Sequence, residues 1–397
     1  MSGQAQQSSP NVRITVVLGI GQTVAFASSF YLLGVIGDAM AADLALSPAF
    51  VVGLMSLALA VSPLVTTRVG RWLDIRGGRE VLLASNLVFG FALSLLAAAQ
   101  GAWSLIAAML LLGLGMAIGM YATPFAILVA LHGDAARRPI TVVALFGALG
   151  SAVGWPLTSF LGGLIGWRGA CLGWAAAHLA LCLPLTAWTL PKAARHEGPA
   201  ATSSPTPVVW DGAMVRLAIL FSGAWFISTA MGSHLPRLLA AFGLTAPQAA
   251  ATAALAGLAS AGVRLVEVAL SRRLSPLLTT RAATLMHPLG AGALAAFGAP
   301  AAAIMAIGHG AGAGMLTVAK GVLPLSLYGS ENYAYRSALI SRPAQLLQIG
   351  GPALYGLALA ESPAAALALT GGLSVVMFAM TFGLRTHGKS QKEQVAA

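Results

Sequence analysis

Gly70-Arg71-Trp72-Leu73-Asp74-Ile75-Arg76-Gly77-Gly78-Arg79 is a short basic turn between two long apolar runs, 48–70 before it and 81–100 after it. Each run has the length of about 20 residues that a helix needs to cross a bilayer. The turn has its own chemistry. Gly70 allows close helix approach, and Gly77 allows a tight reversal. Asp74 can cap a helix start or pair with arginines across the loop.

The same reading extends outward along the whole chain. In the first half the apolar runs are 14–37, 48–70, 81–100, 103–127, 140–165 and 169–190. In the second half they are 212–236, 247–270, 280–297, 300–326, 337–359 and 363–384. Between the halves, Pro191 to Val209 is polar, contains four prolines, and reads as a linker. The expected organisation is therefore an N-terminal six-helix bundle over 1–190, a cytoplasmic linker over 191–209, and a C-terminal six-helix bundle with a short cytoplasmic tail over 210–397. The first run is longer than a signal-peptide core and reads as a retained span.

Composition agrees. Of 397 residues only 8% are charged and 58% are hydrophobic, whereas a soluble domain carries about 25% charged residues. Mean hydropathy is +0.84. Such a chain cannot cover a globule with polar surface, which argues against a soluble enzyme, a disordered scaffold or a nucleic-acid-binding domain. The net charge of +11 sits in the turns. Arg13, Arg68, Arg71, Arg76, Arg79, Arg137, Arg138, Arg216, Arg281 and Arg336 fall on one side, with little beyond Arg168 and Arg237 on the other. The asymmetry places both termini in the cytoplasm. Cys171 and Cys182 read as small packing residues, not as a disulfide or metal site.

The turn resembles the loop signature of the major facilitator superfamily: Gly, three residues, Asp, a basic residue, any residue, Gly, any residue, basic. Gly70, Asp74, Gly77 and Arg79 fit, while Ile75 replaces the first basic residue. The resemblance implies an all-α integral membrane protein of twelve transmembrane helices in two six-helix bundles. It also implies a conformational gate at Gly70, Asp74, Gly77 and Arg79 that locks the cytoplasmic side. In span 5, Gly147, Gly150, Gly154, Trp155 and Pro156 are similar to the glycine–proline signature of exporters in this superfamily, and ordinary helix packing explains them equally well. Span 8 looks like that of monocarboxylate and oxalate–formate carriers, with Gly257 seven residues before Arg264 and Ser260 where the monocarboxylate pattern has Asp.

Ionisable residues inside spans are costly and are functional candidates by default. Arg264 and Glu267 lie three apart in span 8, Lys320 lies in span 10, and Arg342 in span 11. Arg264 and Lys320 each lie roughly 9 Å from the inner end of their spans. The resemblance implies that spans 7, 8, 10 and 11 line a central cavity, and Arg342 starts at a similar depth, so one layer would hold three cations and one carboxylate. Two readings stay open: an anion-binding site, or an inner gate of ion pairs. Glu267 is the first candidate proton carrier, and His309 the second. Among uncharged residues Gln22, Tyr31 and Tyr121 are candidate substrate contacts. His178 and His287 read as peripheral, His234 as part of an outer loop, and Tyr328, Tyr333 and Tyr335 as an interfacial aromatic belt.

The function expected is secondary active transport of a small organic solute, with an anion favoured by the second-half cations and a proton as the candidate coupled ion, across a bacterial inner membrane, by a monomer working through alternating access. The alternative is an efflux pump for drugs or other toxic compounds. No enzyme chemistry, cofactor, metal or nucleic-acid partner is expected, and no phosphate-binding GxxxxGK[ST] loop occurs.

Overall fold

The computed structural model describes residues 12–191, 208–270 and 274–384. Most of the expected linker and the C-terminal tail lie outside the described residues. Within them the chain is helical, with no strand. The N-terminal half contains α1 (Val12–Ser28), α2 (Leu33–Asp43), α3 (Pro48–Arg76), α4 (Arg79–Ala97), α5 (Ala102–Gly119), α6 (Ala122–His132), α7 (Arg137–Ala176) and α8 (Leu183–Thr189). The C-terminal half contains α9 (Gly212–Ala241), α10 (Ala246–Leu270), α11 (Pro276–Phe297), α12 (Ala302–Tyr328), α13 (Tyr333–Glu361) and α14 (Pro363–Met380).

These helices make the twelve crossings read from hydropathy. α1 and α2 share the first crossing, and α5 and α6 share the fourth. α7 turns back at Gly166, whose φ of 71° only glycine adopts readily. Its second limb continues through a π-helical stretch, Ala177–Cys182, into α8.

Each half has its own apolar core. One is built on Leu32, Met40, Phe89, Leu93 and Leu105, the other on Leu217, Phe221, Leu239, Met305 and Tyr355. A third core joins the halves. It includes Leu18, Leu73, Phe125 and Ile140 from the first half and Val318, Val322 and Tyr333 from the second. All of these lie toward one end of the molecule, the end that also carries Arg71, Arg79, Arg137 and Arg336. We call it the basic end.

The contact that closes this end runs between α3 and α13. A Cβ added at Gly70 would stand 2.7 Å from the carbonyl oxygen of Ala334 and 2.7 Å from the Cβ of Ala338. Nothing larger than glycine lets the two backbones approach so closely. One turn further on, the Asp74 carboxylate accepts hydrogen bonds from the Ala334 amide at 3.1 Å and the Tyr335 amide at 2.7 Å. α13 has no side-chain cap of its own, since Asn332 at its start makes none. The first amides of a helix lack intrahelical partners and carry partial positive charge, and here a carboxylate from the opposite half satisfies them. Arg71 adds a hydrogen bond to the Tyr335 hydroxyl at 2.9 Å and stacks over its ring at 4.6 Å.

Two expectations are corrected here. Arg79 does not bridge the halves. It donates to the carbonyls of Leu190 and Ala187, which ties the start of α4 to the end of α8 within one half. Nor do the tyrosines form a belt. Tyr333 is buried and donates to Gly321 at 2.7 Å, Tyr328 donates to Asp211 at 2.6 Å, and Tyr335 belongs to the closing contact.

Removing the cross-half cap should loosen the basic end without unfolding either half. In Asp74→Ala, the distance between spin labels at Ile75→Cys and Ser330→Cys is expected to broaden and lengthen relative to the parent. Native Cys171 and Cys182 are buried and stay unlabelled. An unchanged distance distribution would show that the carboxylate does not hold the contact.

Candidate functional site: a central cavity between the halves

Between the halves, enclosed on one side by the α3–α13 contact, lies a cavity of about 320 Å³. Its walls come from both halves and differ in chemistry.

The N-terminal wall is aromatic. Phe26, Phe30, Tyr31, Tyr121 and Phe125 all line it. Their rings form one connected cluster. Phe26 and Tyr121 have centroids 4.8 Å apart, Phe30 and Tyr31 5.3 Å, and Tyr121 and Phe125 5.2 Å. Tyr31 lies in the break between α1 and α2, and Tyr121 in the break between α5 and α6. Breaking the helices there turns both rings toward the cavity. The glycines of α7 make room for this wall: Cβ atoms at Gly147, Gly150 and Gly154 would collide with Tyr121, Phe26 and Ala27. That is the packing reading of the span-5 glycines. Tyr121 also donates to the Ala144 carbonyl at 3.1 Å.

The C-terminal wall carries the cavity's two cations, beside the rings of Phe221, Trp225 and Tyr333. Arg264 of α10 and Lys320 of α12 both line the cavity. Glycines again set the geometry. A Cβ at Gly314 would stand 2.8 Å from the Ser260 carbonyl oxygen, and one at Gly310 would collide with the Ala256 carbonyl. Such small-residue contacts let helices cross closely, and they bring the α10 and α12 side chains onto one surface. The Lys320 ammonium rests 4.2 Å from the centre of the Trp225 ring, a cation–π contact that anchors it. Arg264 is only 7% exposed, and its Nε has no hydrogen-bond partner. Tyr121 and Arg264 line the same cavity from opposite halves. No Asp or Glu is among the described residues lining the cavity.

The layer predicted from sequence is thus only partly assembled. Arg264, Lys320, Tyr31 and Tyr121 meet at one cavity. Arg342 does not join them. It lies on an exposed face of α13 while its neighbour Ser341 lines the cavity, because one helical residue turns the side chain by about 100°. Gln22 is buried outside the lining, and its amide donates to Gly119 at 2.8 Å. Glu267 is buried and also off the cavity. It makes no ion pair within 4.0 Å with Arg264 among the described residues, its Oε2 has no partner, and its electrostatic neighbours are Arg137, at the start of α7, and Arg264. It therefore sits where α10 meets the N-terminal half.

The histidines also differ from expectation. His309 faces His287 of α11, with their Nδ1 atoms 3.2 Å apart, beside a small void of about 20 Å³. Ala224, Ser228, Ala313 and Leu316 line both this void and the central cavity. A void of this size can hold one water. His287 is thus a buried partner rather than a peripheral residue. His178 bridges Ser28 and Asn86 and stacks on Phe89, a packing role as expected. His234 is not in a loop but within α9, bonded to the Pro352 carbonyl at 2.9 Å. Sequence reasoning missed Trp225, Phe26 and Phe30. A lone aromatic in an apolar span gives no signal that separates cavity from lipid.

Residues 18–319, well over half of the chain, match the family model of the Major Facilitator Superfamily. Solved structures share the fold. The human organic anion transporter MFSD10 (TETRAN) superposes with a TM-score of 0.73 at 17% identity, covering 94% of this chain and 100% of that one. The proton:xylose symporter XylE does so with a TM-score of 0.75 at 12% identity, covering 96% of this chain and 97% of that one. The E. coli fucose:proton symporter FucP gives 0.67 at 13% identity, covering 93% and 97%. No curated protein matches the chain at a significant level.

The packing account can be checked directly. Gly310→Leu is expected to force α10 and α12 apart and cost about 1–3 kcal/mol, the range for overpacking a tight contact. The readout is the apparent melting temperature of the purified protein. A Gly310→Leu melting curve equal to the parent's would refute the close crossing.

Proposed function

The chain belongs to the major facilitator superfamily, and from that premise we propose that it is a secondary active transporter of a small organic anion. The observation that carries this reading is the cavity wall holding Arg264 and Lys320 with no carboxylate among its described lining residues. Two cations held in low dielectric attract an anion strongly. The Arg264 guanidinium has a buried donor without a partner, and a carboxylate would satisfy it. Burying such a donor empty is costly, so a ligand that fills it gains more than the hydrogen bond alone.

The cycle we propose is alternating access, in which the halves rock about the cavity. The basic end is then the cytoplasmic end of a bacterial inner-membrane protein, with both termini on that side. The present conformation, closed at that end, is the outward-facing one. Asp74 and Gly70 hold it closed together with Arg71 and Tyr335, and the electrostatic attraction between Glu267 and Arg137 adds to the closure. Arg264 thus belongs to the substrate and Glu267 to the gate. A proton accompanies the anion, carried by Glu267 or by His309 with its partner His287. One structural relative is named an organic anion transporter and two are proton symporters, but at these identities the likeness carries the fold alone.

Efflux of lipophilic compounds is the second reading, supported by the aromatic wall. The two cations set its limit, because they repel lipophilic cations.

Thermal stability against a ligand panel tests the main reading. The probes are acetate, benzoate, succinate, inorganic phosphate, xylose and tetraphenylphosphonium. At saturating concentration a bound anion is expected to raise the apparent melting temperature by roughly 2–4 °C. Arg264→Gln and Lys320→Gln should each lose that shift while melting cooperatively. Stabilisation by tetraphenylphosphonium alone, equal in parent and variants, would replace anion transport with efflux.

In proteoliposomes, Glu267→Gln is expected to keep anion exchange and to lose accumulation driven by a pH gradient. Retained gradient-driven accumulation would move the proton to the histidine pair.

A further inference from the structure

The cavity's two walls restrict its ligand further than charge alone. We propose that the substrate is an aromatic monocarboxylate, held with its carboxylate toward Arg264 and Lys320 and its ring against Phe26, Tyr31 and Tyr121. This rests on the anion reading above and narrows it.

The division of labour between the walls is the first argument. All the cationic groups lining the cavity come from the C-terminal half, and the connected ring cluster comes from the N-terminal half. A small aliphatic acid would satisfy the cations and leave the aromatic wall facing water. A ligand with a planar apolar body covers that wall, and ring–ring contacts add to the area it buries. Because Tyr121 and Arg264 line the same cavity of about 320 Å³, one ligand can touch both walls at once.

The number of charges is the second argument. Lys320 already rests on the Trp225 ring at 4.2 Å. Arg264 has the vacant donor, 7% exposed and without a hydrogen-bond partner at Nε. A single carboxylate fits this arrangement. A dianion would need a second cationic contact at its far end, and the aromatic wall provides none among the described residues.

The uncharged polar lining bears on substituents of the ring. Beside Gln345 it consists of hydroxyls, among them Ser260, Ser337 and Tyr121, and a hydroxyl both donates and accepts. Tyr121 already donates to Ala144, so its oxygen is left to accept from a hydroxyl on the ring.

Calorimetric titration of the full chain in detergent tests this, with benzoate, 4-hydroxybenzoate, acetate, succinate, inorganic phosphate and benzyl alcohol as probes. Benzoate is expected to bind at least tenfold more tightly than acetate, succinate or phosphate, and benzyl alcohol should not compete with it. Arg264→Gln should weaken benzoate at least tenfold. The double variant Phe26→Leu, Tyr31→Leu should weaken benzoate by three- to tenfold and leave the affinity for acetate, read by displacement, unchanged. Tyr121→Phe, which keeps the ring, should retain benzoate binding and lose any added affinity for 4-hydroxybenzoate. Equal or tighter binding of acetate, succinate or phosphate overturns the aromatic assignment and leaves the anion reading standing. Benzyl alcohol binding as well as benzoate, with no loss in Arg264→Gln, overturns both. A parent protein that melts cooperatively and binds none of the aromatic acids also overturns the proposal.

Discussion

The carboxylate of Asp74 sits on the first amides of α13, a helix in the opposite half that has no side-chain cap of its own. This contact lies at the end of the molecule where the two halves meet. It satisfies donors that would otherwise be unpaired, and it puts a full negative charge at the positive end of a helix dipole. It is also specific in place, because Gly70 one turn earlier lets the two backbones meet. Behind it, Leu73, Phe125, Val322 and Tyr333 form the only one of the three apolar cores described that spans both halves.

With one end shut, the cavity acquires its character from the helices that the closure brings face to face. Glycines on α7 and α12 do the positioning. They draw α1 and the Tyr121 break toward α7, and α10 toward α12, so that the connected ring cluster lies on one wall and the cations on the other. In the proposed reading, binding chemistry and gating chemistry are separate but adjacent. Arg264 looks into the cavity, while Glu267, three residues on, looks toward Arg137 and the seam between the halves. In the proposed transport cycle, a ligand that changes the charge around Arg264 is felt at the seam, a physical route from occupancy to movement.

Much of this was legible in the sequence. Twelve apolar runs, the asymmetric arginines and the Gly70–Arg79 turn together fixed the architecture, because membrane spans announce themselves by length and polarity. Arg264 and Lys320 were legible because a charge inside a span is costly and rarely placed without use. What could not be read was direction around a helix. In a soluble helix polarity marks the outward face, but a span is apolar on all sides. Arg342 and Ser341 are adjacent, yet one faces out and the other lines the cavity. Gln22 was equally ambiguous and turned out to be structural. The break at Tyr31 has no proline or glycine within it, and the pairing of His287 with His309 joins two spans whose spacing carries no signal.

A structure of the full chain determined with saturating benzoate tests the central claim most directly. Ligand density is expected in the central cavity, its carboxylate against Arg264 and Lys320 and its ring against Phe26 and Tyr31, with Asp74 still capping α13. Density for the ligand elsewhere, with Arg264 engaged by Glu267 and the central cavity empty, would contradict it.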